Sequence, residues 1–303
     1  MLETAENRQP LLEVRNLSQH FRLSRTHTVK AVNHVSFCIY PGEVYGLVGE
    51  SGSGKSTVAR AISRLYEPTE GEILFHGKCI SGHLGREERK LLRTKMQMIF
   101  QDPMSSLNPS KKVMDIVAEG PDIFHMYKTR KERETAVLET LKQVGLAPET
   151  ASRYPSQFSG GQRQRIGIAR ALIMQPDLIL ADEPIASLDT SIQAQIINLL
   201  MDIKGKTNTA YLFIAHDLSM VKYISDRIGV MHKGYLVEWG SKEEIFRNPV
   251  HPYTRSLLAS VPVPNPLQRG VHGNGDDLAI PDPENYAQGH ALHVAGTHYV
   301  WGV

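Results

Sequence analysis

The chain has 303 residues, enough for one large domain or two small ones, and its 34 basic against 32 acidic side chains leave a formal net charge of +2, which argues against a general affinity for polyanions. No apolar run of about 18 residues occurs, so nothing is expected to span a bilayer. Two cysteines, Cys38 and Cys79, both in strand-like surroundings, fit reduced, buried thiols in a cytosolic setting better than a disulfide, and the polar, acidic residues 1–10 are unlike a signal peptide.

Residues 11–40 alternate in the manner of strands, with Val14, Val32, Val35, Phe37 and Ile39 on the apolar positions and Pro41-Gly42 turning into the next segment. That segment, Val44-Tyr45-Gly46-Leu47-Val48, reads as a buried strand. It runs directly into Gly49-Glu50-Ser51-Gly52-Ser53-Gly54-Lys55-Ser56-Thr57, which matches the phosphate-loop pattern G-x-x-x-x-G-K-[ST] at every position. Behind it Val58, Ala61, Ile62 and Leu65 recur at helical spacing. Small residues let successive backbone N–H groups curl around phosphate oxygens, and the helix N-terminus adds its partial positive charge. In such a loop Lys55 reaches the β- and γ-phosphates and the Ser56 hydroxyl ligates Mg²⁺. A glycine turn that holds nothing is the bland alternative, but strand before and helix after predict a nucleoside triphosphate site.

Glu72-Ile73-Leu74-Phe75 with His76-Gly77 reads as a hairpin arm, so the opening is β-rich and antiparallel around the loop strand. From about residue 87 to 175 the texture turns helical, a helical insertion between two strands of the core. Its entry is the buried-looking strand Met96-Gln97-Met98-Ile99-Phe100, ending at Gln101-Asp102-Pro103. Within it, the basic cluster at 127–133 reads as a solvated helix start. Its exit is Phe158-Ser159-Gly160-Gly161-Gln162, where Ser159 and Gln162 have capping-box spacing ahead of the apolar positions Ile166, Ala169, Leu172 and Ile173. Read alone, that stretch is either an ordinary helix cap or a second anion site.

Leu178-Ile179-Leu180-Ala181 is a short apolar strand ending in Asp182-Glu183-Pro184. Open α/β sheets place ligands at such strand ends. An apolar strand closed by Asp matches the Mg²⁺-supporting strand of phosphate-loop NTPases, and Glu183 next to it suits proton transfer from an attacking water. A solvated strand end is the structural alternative. A helix is predicted over 190–203, through Ile192, Ile196, Leu199 and Ile203. Tyr211-Leu212-Phe213-Ile214-Ala215 is then a strand ending at His216, and Asp217 caps the helix that follows. His216 reads equally as structural or as a γ-phosphate contact. Strands near 228–231 and 235–239, joined at Lys233-Gly234, close the core. From Asn248 onward Pro, Gly, Asn and His accumulate, which reads as a mostly irregular extension. His290, His293 and His298 match no zinc spacing.

Five separated elements thus stand in order: the loop at 49–57, Gln101, Phe158-Ser159-Gly160-Gly161-Gln162, Asp182-Glu183, and His216. That order resembles the ATP-binding subunit of an ABC transporter over essentially the whole chain. Residues 97–103, 163–171 and 213–219 are similar to the oligopeptide permease ATPases of the F type, and Thr297-His298-Tyr299-Val300-Trp301 to their Gram-positive branch. Asn248-Pro249-Val250-His251-Pro252-Tyr253-Thr254-Arg255-Ser256-Leu257-Leu258 resembles the C-terminal segment of peptide and nickel importer ATPases.

The resemblance implies an α/β phosphate-loop ATPase core over 11–247, with an antiparallel β-subdomain and a helical subdomain at about 87–175, and an importer-type extension over 248–303. Phe21 takes the place of the aromatic that stacks on adenine, and Gly49, Glu50, Ser51, Gly52, Ser53, Gly54, Lys55, Ser56 and Thr57 hold the phosphates. Gln101 senses Mg²⁺ or the attacking water, and its loop faces the membrane subunits. Phe158, Ser159, Gly160, Gly161 and Gln162 close on the ATP of a partner subunit. Asp182 supports Mg²⁺ with Ser56, Glu183 is the general base, and His216 contacts the γ-phosphate. Ser187, Leu188 and Asp189 form the dimer-crossing loop. Phe158 stands where Leu is usual, and Ala186-Ser187 reverses the usual Ser-Ala order. Cys38 and Cys79, far upstream, cannot supply the iron–sulfur cluster that some related importer ATPases carry near the C-terminus.

The implied activity is ATP hydrolysis driving oligopeptide import at the cytoplasmic face of the membrane. The implied partners are a paralogous ABC ATPase, two integral membrane permease subunits and an extracellular peptide-binding lipoprotein, with no nucleic acid. Rival readings are an importer of dipeptides, nickel complexes or another small solute, a soluble ABC ATPase acting on ribosomes or DNA, and a nucleotide-binding regulator without turnover.

Overall fold

The computed structural model describes residues 9–102, 106–260, 280–281, 286 and 289–302. The readings made on the acidic N-terminus at 1–8, on Pro103 and on most of 261–288 lie outside the described residues. The chain divides into two units, named here for their place in the sequence: a terminal unit (Leu12–Ile39, Glu43–Gly82, Phe213–Val303) and a central unit (Met1–Leu11, Tyr40–Gly42, His83–Leu212).

The terminal unit begins with β1 (Leu12–Arg22) and β2 (Thr28–Ile39), which pair antiparallel. Val14, Val32, Val35, Phe37 and Ile39 are all buried, as their alternation predicts. Strand β3 (Val44–Val48) is buried at every residue and runs into helix α1 (Lys55–Ile62). Strands β4 (Glu70–Phe75) and β5 (Lys78–Cys79) complete an antiparallel sheet in the order β2-β1-β4-β5. Their hairpin turns on His76 and Gly77, both at positive φ (51° and 70°), the mirror-image geometry whose twist suits a two-residue hairpin. Cys38 is half-buried in β2, whereas Cys79 is exposed. The expected pair of buried thiols therefore fails at Cys79, because β5 is a two-residue strand at the sheet edge.

The central unit follows with α2 (Arg86–Lys95), β6 (Met96–Ile99), α3 (Val113–Ile123), α4 (Arg130–Gln143), α5 (Gly160–Leu172), β7 (Leu178–Asp182) and α6 (Thr190–Thr207). Thr129 caps α4 by accepting from the Glu132 amide, so the basic cluster at 127–133 is the predicted exposed helix start. Strands β6 and β7 pair in parallel. Strand β8 (Ala210–Ala215) carries the chain across the division, and all six of its residues are buried.

Back in the terminal unit come α7 (Leu218–Ile224), β9 (Arg227–His232), β10 (Tyr235–Ser241), α8 (Lys242–Arg247), α9 (Pro252–Ala259), β11 (His290–Ala295) and β12 (His298–Gly302). Strand β9 pairs in parallel with β3, while β10, β12 and β11 add antiparallel neighbours in turn. The Asp226 carboxylate and amide bond the Val44 amide and carbonyl (2.8 and 2.9 Å), which sets the register of β3 against β9.

Two parts of the region predicted as irregular from 248 onward are ordered. Pro252 opens α9 at a position where its missing N–H costs nothing. The β11–β12 hairpin joins the sheet through β10. The fastening is Glu238 on β10, fully buried, whose carboxylate accepts from the Val250 amide (2.7 Å), the His251 amide (3.1 Å) and His298 Nε2 (2.7 Å). No composition-based reading finds this, since it joins groups 12 to 60 positions apart.

Burial holds the His251 imidazole down, to about 4, so its Nδ1 is a free acceptor at neutral pH and takes the Tyr253 amide (3.1 Å). Its Nε2–H then faces the Tyr286 hydroxyl (3.4 Å), which in turn meets His232 Nδ1 (3.1 Å).

Two outcomes are expected. Glu238→Ala leaves two buried donors, the His251 amide and His298 Nε2, and the half-buried Val250 amide unpaired, so it should cost on the order of 3 kcal/mol in denaturant unfolding and expose the segment after residue 248 to protease. In thiol titration of the native chain, Cys79 should react first and Cys38 only slowly. Equal rates would contradict the placement of β5.

Candidate functional site

In the terminal unit the loop at 49–57 joins β3 to α1 with three glycines at positive φ: Gly49 (149°), Gly52 (82°) and Gly54 (103°). A side chain at Gly49 would collide with the Met231 carbonyl, and one at Gly54 with the Ala31 carbonyl. These two glycines are therefore needed for close approach as well as for φ. The loop closes on itself through Ser53 N to Glu50 O (3.2 Å), and Gly234 N holds Ser53 O (2.9 Å).

Lys55 is only 3% exposed. Its Nζ donates to Gly49 O and Glu50 O, both at 2.7 Å, and approaches Ser53 Oγ at 3.3 Å. The ammonium is thereby held in the curl of the loop, where it offsets the carbonyl dipoles. The amides of the first turn of α1 have no intrahelical acceptor, so the loop and the helix start present donors and positive potential together.

Phe21, half-buried near the end of β1, makes an edge contact with Tyr66 (centroids 5.2 Å apart, 80° between planes). His216 stands exposed at the end of β8. The Asp217 side chain caps α7 through the Ser219 amide (2.7 Å), as predicted.

In the central unit Asp182 ends β7 and is 2% exposed. Glu183 follows at φ 46°, a left-handed conformation in which a glutamate is uncommon. The turn is secured by Ala186 N to Glu183 O (3.2 Å) and Leu188 N to Ile185 O (3.1 Å). It aims the carboxylate so that Glu183 Oε2 accepts from Gln101 Nε2 at 3.1 Å. Two residues 82 positions apart, picked separately in the sequence, are thus one hydrogen-bonded pair.

At the start of α5, Ser159 and Gln162 form the predicted capping box: Ser159 Oγ accepts from Gln162 N (3.4 Å) and Gln162 Oε1 from Ser159 N (3.1 Å). Phe158 is buried with the Arg153 guanidinium over its ring (4.8 Å). Ser159 and Gly160 are exposed, and Gly161 packs so closely on Ile192 of α6 that a side chain would press into it. Ser187 and Asp189 are also exposed, with Leu188 half-buried between them, and the Asp189 side chain makes no capping bond to α6.

One contact to the loop had no forecast in the sequence. The Glu50 amide donates to the Tyr253 hydroxyl on α9 at 2.9 Å, across 203 positions. The only signal was the segment around His251-Pro252-Tyr253, read as a mark of kinship rather than as part of a site.

Comparison with known proteins fits this picture. A family model described as ABC transporter matches residues 32–186, and one described as Oligopeptide/dipeptide transporter, C-terminal region, matches residues 237–289. The chain is 58% identical over 258 residues to the oligopeptide transport ATP-binding protein OppF of Bacillus subtilis, covering 85% of this chain and 84% of that one. It is 56% identical over 259 residues to the dipeptide transport ATP-binding protein DppF of Lactococcus lactis, covering 85% and 83%.

Among solved structures, a dimeric ATP-binding cassette in a post-hydrolysis state with ADP and Pi superposes with a TM-score of 0.69 at 29% identity, covering 76% of this chain and 98% of that one. A component of the cbiONQ ABC transporter complex of Clostridium perfringens gives 0.69 at 28% identity, covering 79% and 91%. On these matches, the chain belongs to the ABC transporter family.

Proposed function

We propose that this chain is the ATP-hydrolysing subunit of an importer that takes up short peptides. The observation that carries the hydrolytic part is Glu183, presented by a left-handed turn at the end of β7 and hydrogen-bonded to Gln101 at 3.1 Å. A carboxylate so placed accepts the proton of an attacking water, while the Gln101 amide orients that water. A regulator without turnover has no use for such a pair. The peptide cargo rests on the relatives, which are oligopeptide and dipeptide transport ATP-binding proteins, and on the match to the C-terminal region of such transporters.

In this reading the amides of 49–57 hold the phosphates, Lys55 neutralises charge on them, Phe21 stacks on the base and His216 contacts the γ-phosphate. The Ser56 hydroxyl, the Asp182 carboxylate and the Gln101 amide oxygen are hard oxygen donors, the set Mg²⁺ prefers when it is held by few protein groups and by substrate phosphates. The ion would supply charge neutralisation for the nucleotide's phosphates. Among the described residues no group of three or more His, Cys, Asp or Glu could hold a metal ion, and none is required for such a site.

Ser159 and Gly160, exposed at the start of α5, and Gly161 behind them face the nucleotide of a paralogous ATPase, with Asp189 at the same junction. Residues 102–109 meet two integral membrane subunits, and an extracellular peptide-binding lipoprotein delivers the cargo. No described helix is long and apolar enough to cross a membrane. In this reading the chain acts as a peripheral subunit at the cytoplasmic face through those partners.

The test is Glu183→Gln against Lys55→Ala in the assembled complex. Glu183→Gln keeps shape and hydrogen bonding but removes the base, so single-turnover hydrolysis should fall about 10²–10⁴-fold while ATP stays bound. Lys55→Ala should lose ATP affinity itself. Hydrolysis by Glu183→Gln at nearly the parent rate would remove it from the general-base role and shift that role to Gln101 or His216. Membrane subunits should copurify with the chain. Ribosomes or nucleic acid in their place would sink the importer reading.

A further inference from the structure

The Gly49–Glu50 peptide has its two polar ends engaged by different partners. Its carbonyl, Gly49 O, accepts from Lys55 Nζ at 2.7 Å. Its amide, Glu50 N, donates to the Tyr253 hydroxyl at 2.9 Å. Gly49, lacking a side chain, gives this peptide more rotational freedom than its neighbours have. If the peptide turned over, the carbonyl would swing away from Lys55, and the ammonium would lose one of the two acceptors that hold it at 2.7 Å. The Tyr253 hydroxyl is the fixed point opposing that rotation.

Tyr253 is itself held from several sides. It is 2% exposed, and its ring stacks on His232 (4.1 Å between centroids, 27°). His232 directly follows Met231, whose carbonyl abuts Gly49. The Tyr253 amide bonds His251 Nδ1 at 3.1 Å, and the His251 amide is held by the buried Glu238. The hydroxyl is therefore presented by a rigid support, and little entropy is lost in keeping it there.

We propose that Tyr253 is a positioning residue of the phosphate loop: by pinning the Gly49–Glu50 peptide it holds Lys55 in place, and so the helix after the core sets the nucleotide affinity of the loop. The inference rests on the reading of 49–57 as the nucleotide loop. It gives the C-terminal segment a task at the ATP site.

The experiment uses the purified full chain and measures binding of ATP and of ADP by titration calorimetry. Tyr253→Phe keeps the ring and its stack on His232 but removes the acceptor. It should weaken both nucleotides about three- to tenfold, the range of one net hydrogen bond. In the assembled complex, KM for ATP should rise while kcat at saturating ATP changes less than about twofold.

Tyr286→Phe is the control for loosening of the tail. It removes another buried hydroxyl of the same cluster, one bonded to His232 and His251 and not to the loop, and should bind ATP within about twofold of the parent. Equal weakening in both variants, or parent affinity in Tyr253→Phe, overturns the proposal. Lys55→Ala separates the levels: if it binds ATP like the parent, the loop assignment fails, and the inference falls with it. Amide exchange in the parent chain needs no variant. The Glu50 N–H should exchange far more slowly than the exposed loop amide of Gly52, and an equal rate overturns the proposal.

Discussion

Two backbone carbonyls approach the phosphate loop more closely than any side chain would permit. Met231 O, near the end of β9, lies where a Cβ on Gly49 would stand, and Ala31 O of β2 does the same at Gly54. The loop is therefore shaped by its neighbours as much as by its own residues. Gly234, in the turn after β9, extends the contact in both directions: its amide holds Ser53 O at 2.9 Å and its carbonyl accepts from Asn33 N at 2.8 Å. Strand β2, the β9–β10 turn and the loop form one hydrogen-bonded cluster. Lys55 is buried within it because the carbonyls of Gly49 and Glu50 replace the water it gives up.

The chemistry assigned to the central unit depends on backbone geometry of a different kind. Asp182 is still in β7, but Glu183 has left it for a left-handed conformation. Adjacent residues in a strand would point to opposite faces. The turn breaks that alternation and lets Glu183 meet Gln101 while Asp182 stays buried. A non-glycine residue at positive φ carries a conformational cost that its surroundings must offset. Here the offset comes from the turn bonds at 183–188 and from Gln193, whose side chain donates to Ile185 O at 3.2 Å.

The region after Asn248 illustrates how a polar centre organises chain with little apolar patterning of its own. Glu238 is fully buried, a placement costly for a carboxylate unless every lone pair is used. Two backbone amides and one histidine meet it, drawing residues 250, 251 and 298 to β10. Around that anchor His251, Tyr286, His232 and Tyr253 form a chain of hydrogen bonds and ring contacts that reaches the Glu50 amide. The polar groups in it are paired, as buried polar groups must be.

Local rules were enough to find the loop at 49–57, the capping box at 159–162, the strand ending in Asp182 and the cap at Asp217, because each is decided by residues within a few positions of one another. Glycine at positive φ, serine accepting from the third amide and an apolar run entering a turn are all short-range physics, whereas the family was a resemblance carried by the order of the motifs and was shown by the matches to relatives. Tertiary structure decided the rest. The pairing of Gln101 with Glu183, the carbonyls that make Gly49 and Gly54 obligatory, the anchorage of β12 on Glu238 and the reach of Tyr253 to Glu50 all join distant parts of the chain. Their partners are brought together only once the sheets have formed, and a hydrogen bond leaves no periodicity in the sequence on either side of it.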